Sequence, residues 1–185
     1  MSQDLPISMP LKVSDLPAKK PTRFAIEPDG AQLTAIAAQV GAEEIRKLRF
    51  AGELRPSGRH DFILEAKLGA TAVQACVVTL APVVTRIDEP VLRKYMAEMP
   101  APEGDEVEML DDSMEPLPSV IDLGAVLLEA LALALPLYPR AEGVAPADIV
   151  VTKPGALPLD GDKIKPFAGL AALRDSLKSK DEGAK

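Results

Sequence analysis

One cysteine, one histidine and no tryptophan in 185 residues leave little from which to build a redox or metal centre. A lone Cys76 forbids an intramolecular disulfide and any multi-cysteine zinc site. His60, the only histidine, follows Gly58-Arg59 with no ligating companion near it, and reads as a solvated turn residue. Two Tyr and four Phe are too few for the stacking platforms on which many RNA-binding sheets lay bases. Long uncharged runs are missing too. In the most apolar segment Asp122, Glu129 and Arg140 leave at most ten consecutive uncharged residues, 130–139, against about 20 for a membrane-spanning helix. The first ten residues hold Asp4 and two prolines rather than an apolar run, so no signal peptide is expected and the cytoplasm is the expected location. No Gly-rich phosphate loop follows a strand, and neither Gly-x-Ser-x-Gly nor His-Glu-x-x-His occurs. No enzyme activity, cofactor, metal, membrane or small-molecule substrate is therefore expected.

What is present is unevenly spread. The net charge is −7, yet residues 98–122 hold nine acids and no base, leaving 19 acids against 21 bases elsewhere. The acidity belongs to one segment, not to the whole surface.

The stretch Ser119-Val-Ile-Asp-Leu-Gly-Ala-Val-Leu-Leu-Glu-Ala-Leu-Ala-Leu-Ala-Leu-Pro-Leu-Tyr-Pro-Arg140 organises the fold. Ser119 and Asp122 suit a helix N-terminus, Pro136 and Pro139 end it, and Ala and Leu favour helix between. Leu123, Leu127, Leu128, Leu131 and Leu135 fall within an arc of about 140° at 100° per residue. Gly124 lies inside that arc, where another backbone could come close. Val126 and Leu133 flank the charged side, so the helix is apolar nearly all round and is expected to be buried. Ile7, Met9, Leu11 and Val13 alternate as a leading strand. Asp29 to Gly41 reads as a short capped helix with Leu33, Ile36, Ala37 and Val40 as its apolar stripe.

From Ile45 the period falls to two. A strand over 45–56, a turn at Pro56-Ser-Gly58, a strand over 62–68, a tight connection at Leu68-Gly-Ala70, a strand over 71–80 ended by Pro82, and a strand from Val83 are expected. The fold class is therefore α+β: an antiparallel meander covered by a buried Leu/Ala-rich helix, with short N-terminal and C-terminal helices and a long acidic loop. A single domain over 1–178 is expected, with 98–118 as a flexible acidic loop inside it. Residues 163–177 read as the final amphipathic helix and 179–185 as a disordered tail.

Few residues offer chemistry. Cys76 among valines reads as packing rather than a nucleophile. Glu129 reads as an edge carboxylate or the partner of a sheet arginine, rather than a general base. Arg46, Lys47, Arg49, Arg55 and Arg59 span one hairpin, and Lys47, Arg49 and Arg55 share parity. They either meet phosphates or are neutralised by Glu53 and Glu65 across the strands. Glu103, Asp105, Glu106, Glu108, Asp111 and Asp112 form either a solvated run or a dock for a basic partner.

Three blocks in this order resemble the YceD family, the bacterial large ribosomal RNA subunit accumulation proteins. They are Val73-Gln-Ala-Cys76-Val-Val-Thr79-Leu-Ala-Pro82-Val, the helix and exit carrying Asp122, Leu123, Glu129, Leu135, Pro136 and Pro139, and Lys165-Pro-Phe167-Ala-Gly-Leu170-Ala-Ala-Leu173. The resemblance implies a role in large-subunit ribosomal RNA accumulation, in ribosome biogenesis and without catalysis. Many relatives carry Cys-x-x-Cys in the first block and His after the second; here Thr79 and Arg140 stand in those places. A metal site borrowed from those relatives is therefore not expected. Two modes of action remain. One is contact with ribosomal RNA through the cationic hairpin. The other is a protein adaptor that holds a basic ribosomal protein in the acidic 98–118 loop without touching RNA.

Overall fold

The structure is a computed structural model and describes residues 5–99 and 113–145. The chain divides into two units, 1–144 and 145–185, and the architecture below is that of the first. The expectations for residues 100–112, for the helix over 163–177 and for the tail lie outside the described residues.

Strand β1 (Pro10–Lys12) leads through a 3-10 turn to β2 (Thr22–Ile26), helix α1 (Gly30–Val40) and three long strands, β3 (Glu44–Ser57), β4 (Asp61–Ala75) and β5 (Pro82–Met96). Short strands β6 (Met114–Pro116) and β7 (Val120–Asp122) precede helix α2 (Leu123–Ala134). The main sheet runs β2-β3-β4-β5-β6; its first four strands are antiparallel and β6 joins β5 in parallel. β1 and β7 form a separate two-stranded ribbon. The α+β class holds, with a larger sheet than the meander foreseen.

Alternation decides which face is dry. Phe50, Leu54, Leu64, Leu68, Ala70 and Ala72 point to one side and are almost completely buried. The opposite face carries the charged residues. α1 begins with the expected capping box: Asp29 accepts from the Gln32 amide at 2.8 Å while Gln32 accepts from the Asp29 amide at 3.0 Å. It ends at Gly41, whose left-handed φ of 72° suits glycine.

α2 is held at its start by one carboxylate. Asp122 accepts from Ser8 Oγ at 2.6 Å, from the Met9 amide at 2.8 Å and from the Gly124 amide at 2.9 Å. It thus caps the helix and ties it to the N-terminal segment. Gly124 is where that segment crosses: a Cβ there would sit 2.5 Å from the Ile7 carbonyl oxygen. Leu123, Leu127 and Leu131 have no exposed surface, and burying each contributes about 2 kcal/mol.

Four expectations are corrected. β4 does not turn at Leu68-Gly-Ala70 but continues to Ala75, because the in–out alternation passes through Gly69 unbroken and β5 pairs with it throughout. The strand expected over 71–80 stops at Ala75, and Pro82 opens β5 instead of closing its predecessor. Between them the chain reverses in a turn closed by the Leu80 amide on the Cys76 carbonyl and the Cys76 amide on the Ala81 carbonyl. Leu80 takes a left-handed φ of 60° there. α2 is also not buried all round: Leu123, Leu127, Leu128 and Leu131 are, but Leu133 is 76% exposed and Leu135, just past the helix end, is half-buried. Finally, the last part of the acidic segment is strand rather than loop, because Met114–Pro116 pairs with Lys94–Met96.

Candidate nucleic-acid interface

The five cations foreseen on the β3 hairpin do not form one patch. A bulge interrupts β3 between Arg46 and Arg49, with Lys47 at φ 51°. Two exposed residues, Arg46 and Lys47, therefore stand between buried Ile45 and Leu48. Lys47 keeps the outer face with Arg49 and Arg55, and the residue put out of step is Ile45, which is buried although it shares their parity. Arg55 lies six residues from Arg49, roughly 20 Å along the strand, and Arg59 lies beyond it in the hairpin turn.

Carboxylates answer most of these charges. Arg46 pairs with Glu44, Arg49 Nε with Glu27 at 2.9 Å, and Arg55 with Glu65 at 2.6 Å. The cross-strand neutralisation by Glu65 is as anticipated, whereas Glu53 pairs instead with Arg23 at 3.4 Å. Lys47 and Arg59 have no carboxylate partner among the described residues.

What the sheet does assemble is a cleft on its outer face, of about 780 Å³, across the middle of β3, β4 and β5. Its floor is low because the residues there are small. Ala51 stands opposite Lys67, and Gly69 lies between Arg49 on β3 and Asp88 on β5. A Cβ on Gly69 would come 3.1 Å from Arg86 Nη2, so the glycine makes room for that guanidinium. Lys47, Arg49, Lys67 and Arg86 stand around this floor, with Asp88 and Glu89 on the β5 side. Arg86 is fixed by Asp88 at 2.5 and 2.8 Å and reaches Thr71 Oγ1 at 3.4 Å. The hydrogen bond from that guanidinium holds the Asp88 carboxyl below its usual pKa, against the opposing effect of desolvation. Lys67, like Lys47, has no carboxylate partner among the described residues.

Lys67 and Arg86 escaped sequence reasoning. The signal was the hairpin register: a turn at Ser57 to Asp61 fixes Ala51 against Lys67 and Arg49 against Gly69 once β4 is read as one strand.

The other residues singled out have structural settings. Glu129 accepts from Arg93 Nη2 at 2.8 Å, and the same guanidinium also holds Glu115 on β6. That is the sheet-arginine pairing foreseen, and it joins α2, β5 and β6. His60 is exposed in the hairpin turn. Cys76 has no exposed surface, yet its thiol pKa is lowered to about 6 by the Thr79 hydroxyl, then by the amides of Ala141, Thr79 and Val78, against the opposing effect of burial. The Ala141 amide lies 3.4 Å from Sγ. Two further bonds make the same junction: the Val77 amide donates to the Pro139 carbonyl at 2.9 Å and Gln74 Nε2 donates to the Pro136 carbonyl at 3.3 Å. Within the turn itself the Thr79 hydroxyl accepts from the Ala81 amide at 3.4 Å. The strand block and the helix-exit block thus meet in space. Among the described residues no three His, Cys, Asp or Glu side chains converge as metal ligands, and no helix is long and apolar enough to cross a membrane. Glu103, Asp105, Glu106, Glu108, Asp111 and Asp112 lie outside the described residues.

A family model described as the large ribosomal RNA subunit accumulation protein YceD matches residues 64–174. Neither the curated proteins nor the solved structures yield a match. The matched span begins inside β4 and takes in β5, the turn at Cys76 and all of α2.

Proposed function

Because the chain belongs to the YceD family of large ribosomal RNA subunit accumulation proteins, we propose that it supports accumulation of that RNA by binding it directly, without catalysis, through the outer-face cleft. The supporting observation is the ring of Lys47, Arg49, Lys67 and Arg86 around a floor of Ala51 and Gly69. Such a shape admits a phosphate to the sheet surface while the long cationic side chains close on it. Two of the four cations are uncommitted among the described residues, and the two arginines hold exposed carboxylates that a phosphate can replace. Two Tyr and four Phe in the whole chain argue for backbone contact rather than base stacking.

The test is salt titration of the full chain against ribosomal RNA fragments. Contact with about three phosphates predicts a log–log slope near −2 to −3, from roughly −0.7 to −0.9 per neutralised phosphate. Lys47→Glu with Lys67→Glu should abolish binding and flatten the slope, while Arg55→Glu and Arg59→Glu, remote from the cleft, change little. Binding indifferent to salt and to the lysine reversals sinks the reading. Recovery of a basic ribosomal protein from a nuclease-treated pull-down, with no RNA affinity, would put the adaptor mode in its place.

A further inference from the structure

A second surface lies on the far edge of the same sheet. The Lys94 amide donates outward to the Ser113 carbonyl at 2.7 Å, and the Met96 carbonyl accepts from the Leu117 amide at 2.8 Å. Even-numbered residues of β5 therefore turn their main-chain groups away from β4. The β4–β5 register is unbroken from Phe62↔Tyr95 to Ala75↔Pro82. The same parity then holds back along the strand, and Val84, Arg86, Asp88, Pro90 and Leu92 also face outward. Among the described residues only β6 pairs with this edge, and only over Lys94–Met96.

Beside the edge runs a groove of about 670 Å³ between β5 and α2. Val91, Ala130, Leu133 and Ala134 supply its apolar lining, and Leu133 is 76% exposed. Its charge is negative. Glu115 and Glu129 share the single guanidinium of Arg93, and Glu89 on the groove wall has no cation partner among the described residues.

We propose that the β5 edge from Val84 to Leu92 is a docking rail for an extended segment of another protein that carries lysine or arginine between apolar residues. The segment adds to the sheet as a strand and presses its apolar side chains into the groove against α2, with its cations at Glu89 and beside Glu129. Main-chain pairing supplies the affinity of such strand addition, and the groove and its charge supply the selection. β6 already occupies this edge in the same manner, one short strand further along. A second copy of the chain fits less well. Antiparallel pairing of two β5 edges about Ile87 sets Pro90 of each against Val84 of the other, where Pro90 has no amide to give and its ring meets the carbonyl.

The test uses the full chain and a fluorescent ten-residue peptide of alternating lysine and valine. A glutamate–valine counterpart and the basic peptide N-methylated at alternate residues serve as comparisons. The basic peptide should bind at least about tenfold more tightly than either. Saturation should slow hydrogen exchange at the Val84, Arg86, Asp88 and Leu92 amides and leave those of Thr85 and Ile87, already paired to β4, unchanged. Asp88→Pro, which removes an outward amide and spares the β4 pairing, should weaken binding while thermal unfolding shows the domain intact. Glu89→Lys should weaken it without the backbone change. Equal binding of the acidic or N-methylated peptide, no binding of the basic one at millimolar concentration, or a peptide-free dimer protecting the same amides would overturn the proposal.

Discussion

The amide of Val77 donates to the carbonyl of Pro139 at 2.9 Å, fastening the turn after β4 to the chain leaving α2. Sixty-two residues separate them in sequence. Next to that bond is Cys76, fully buried, its sulfur faced by the Thr79 hydroxyl and by backbone amides. Hydrogen-bond donors aimed at sulfur favour thiolate over thiol.

The first prediction follows from that sulfur. Thiolate absorbance near 240 nm should titrate with a midpoint about 6 in the folded chain and move to the ordinary cysteine range on unfolding. Because the folded pKa is the lower one, this group adds stability above the unfolded value. The contribution shrinks as pH falls and is gone below about 6. Thr79→Val should raise the midpoint by removing the first of the donors, and an unmoved midpoint would show that the hydroxyl does not face the sulfur.

Asp122 supports a second prediction. Its carboxylate caps α2 and anchors Ser8 and Met9, so Asp122→Ala should lower stability by about 2 kcal/mol. Ser8→Ala, which removes one of those bonds, should cost about 1 kcal/mol. Partial burial pushes the Asp122 carboxyl up, but the Ser8 hydroxyl and the amides of Met9, Gly124 and Ala125 together leave it lowered. With the folded pKa below the unfolded one, that stabilisation is present above about pH 4 and is lost as acid protonates the folded group. Urea titrations of Asp122→Asn should accordingly lose the part of the wild-type acid dependence that falls in this range.

The sidedness of α2 gives a third. Leu127→Ala opens a cavity in the core and should cost about 3–4 kcal/mol, whereas Leu133→Ala, at a position 76% exposed, should change stability by less than about 0.5 kcal/mol. Gly124→Ala should behave like a core mutation despite adding only a methyl. The Ile7 carbonyl stands 2.5 Å from the new Cβ, and the N-terminal segment must move to admit it. Equal effects at Leu127 and Leu133 in chemical denaturation would mean that the helix is buried differently.

These residues also mark how far sequence alone reaches. Asp29, Gly41, Asp122 and the proline exit of α2 were legible because capping and helix-breaking are local chemistry, decided within four residues. Gly124 was legible because a glycine in a leucine stripe has few other reasons to be there. Gly69 misled for the same local reason. Beside Ala70 it has the look of a turn, whereas its role is to lie beneath a side chain from β5, a neighbour that no short window contains. The cleft was half seen in consequence: Lys47 and Arg49 lie on β3, while Lys67 and Arg86 join them only through strand register. The bulge at Lys47 was invisible, since nothing in Arg46-Lys47-Leu48 forbids a regular strand. The family resemblance, by contrast, was readable in the blocks themselves and is matched over residues 64–174.

The fourth prediction has the opposite sign to ordinary mutagenesis. Glu27 and Asp88 occupy the guanidinium groups of Arg49 and Arg86 at the cleft, in exposed pairs at 2.9 and 2.5 Å. A phosphate entering the cleft must displace those carboxylates, so they compete with RNA rather than assist it. Exposed pairs of this kind are worth only about 0–1 kcal/mol to the fold, and Glu27→Gln with Asp88→Asn should leave the melting temperature nearly unchanged. RNA affinity should rise instead, by about 1 kcal/mol per freed arginine at low salt, with a salt slope steeper by about 0.7–0.9 for each new phosphate contact. The gain should vanish in Arg49→Ala and Arg86→Ala backgrounds, where no cation is left to release. If the carboxylates instead position the arginines for RNA, the same substitutions will weaken binding, and filter-binding titrations at two salt concentrations separate the two outcomes.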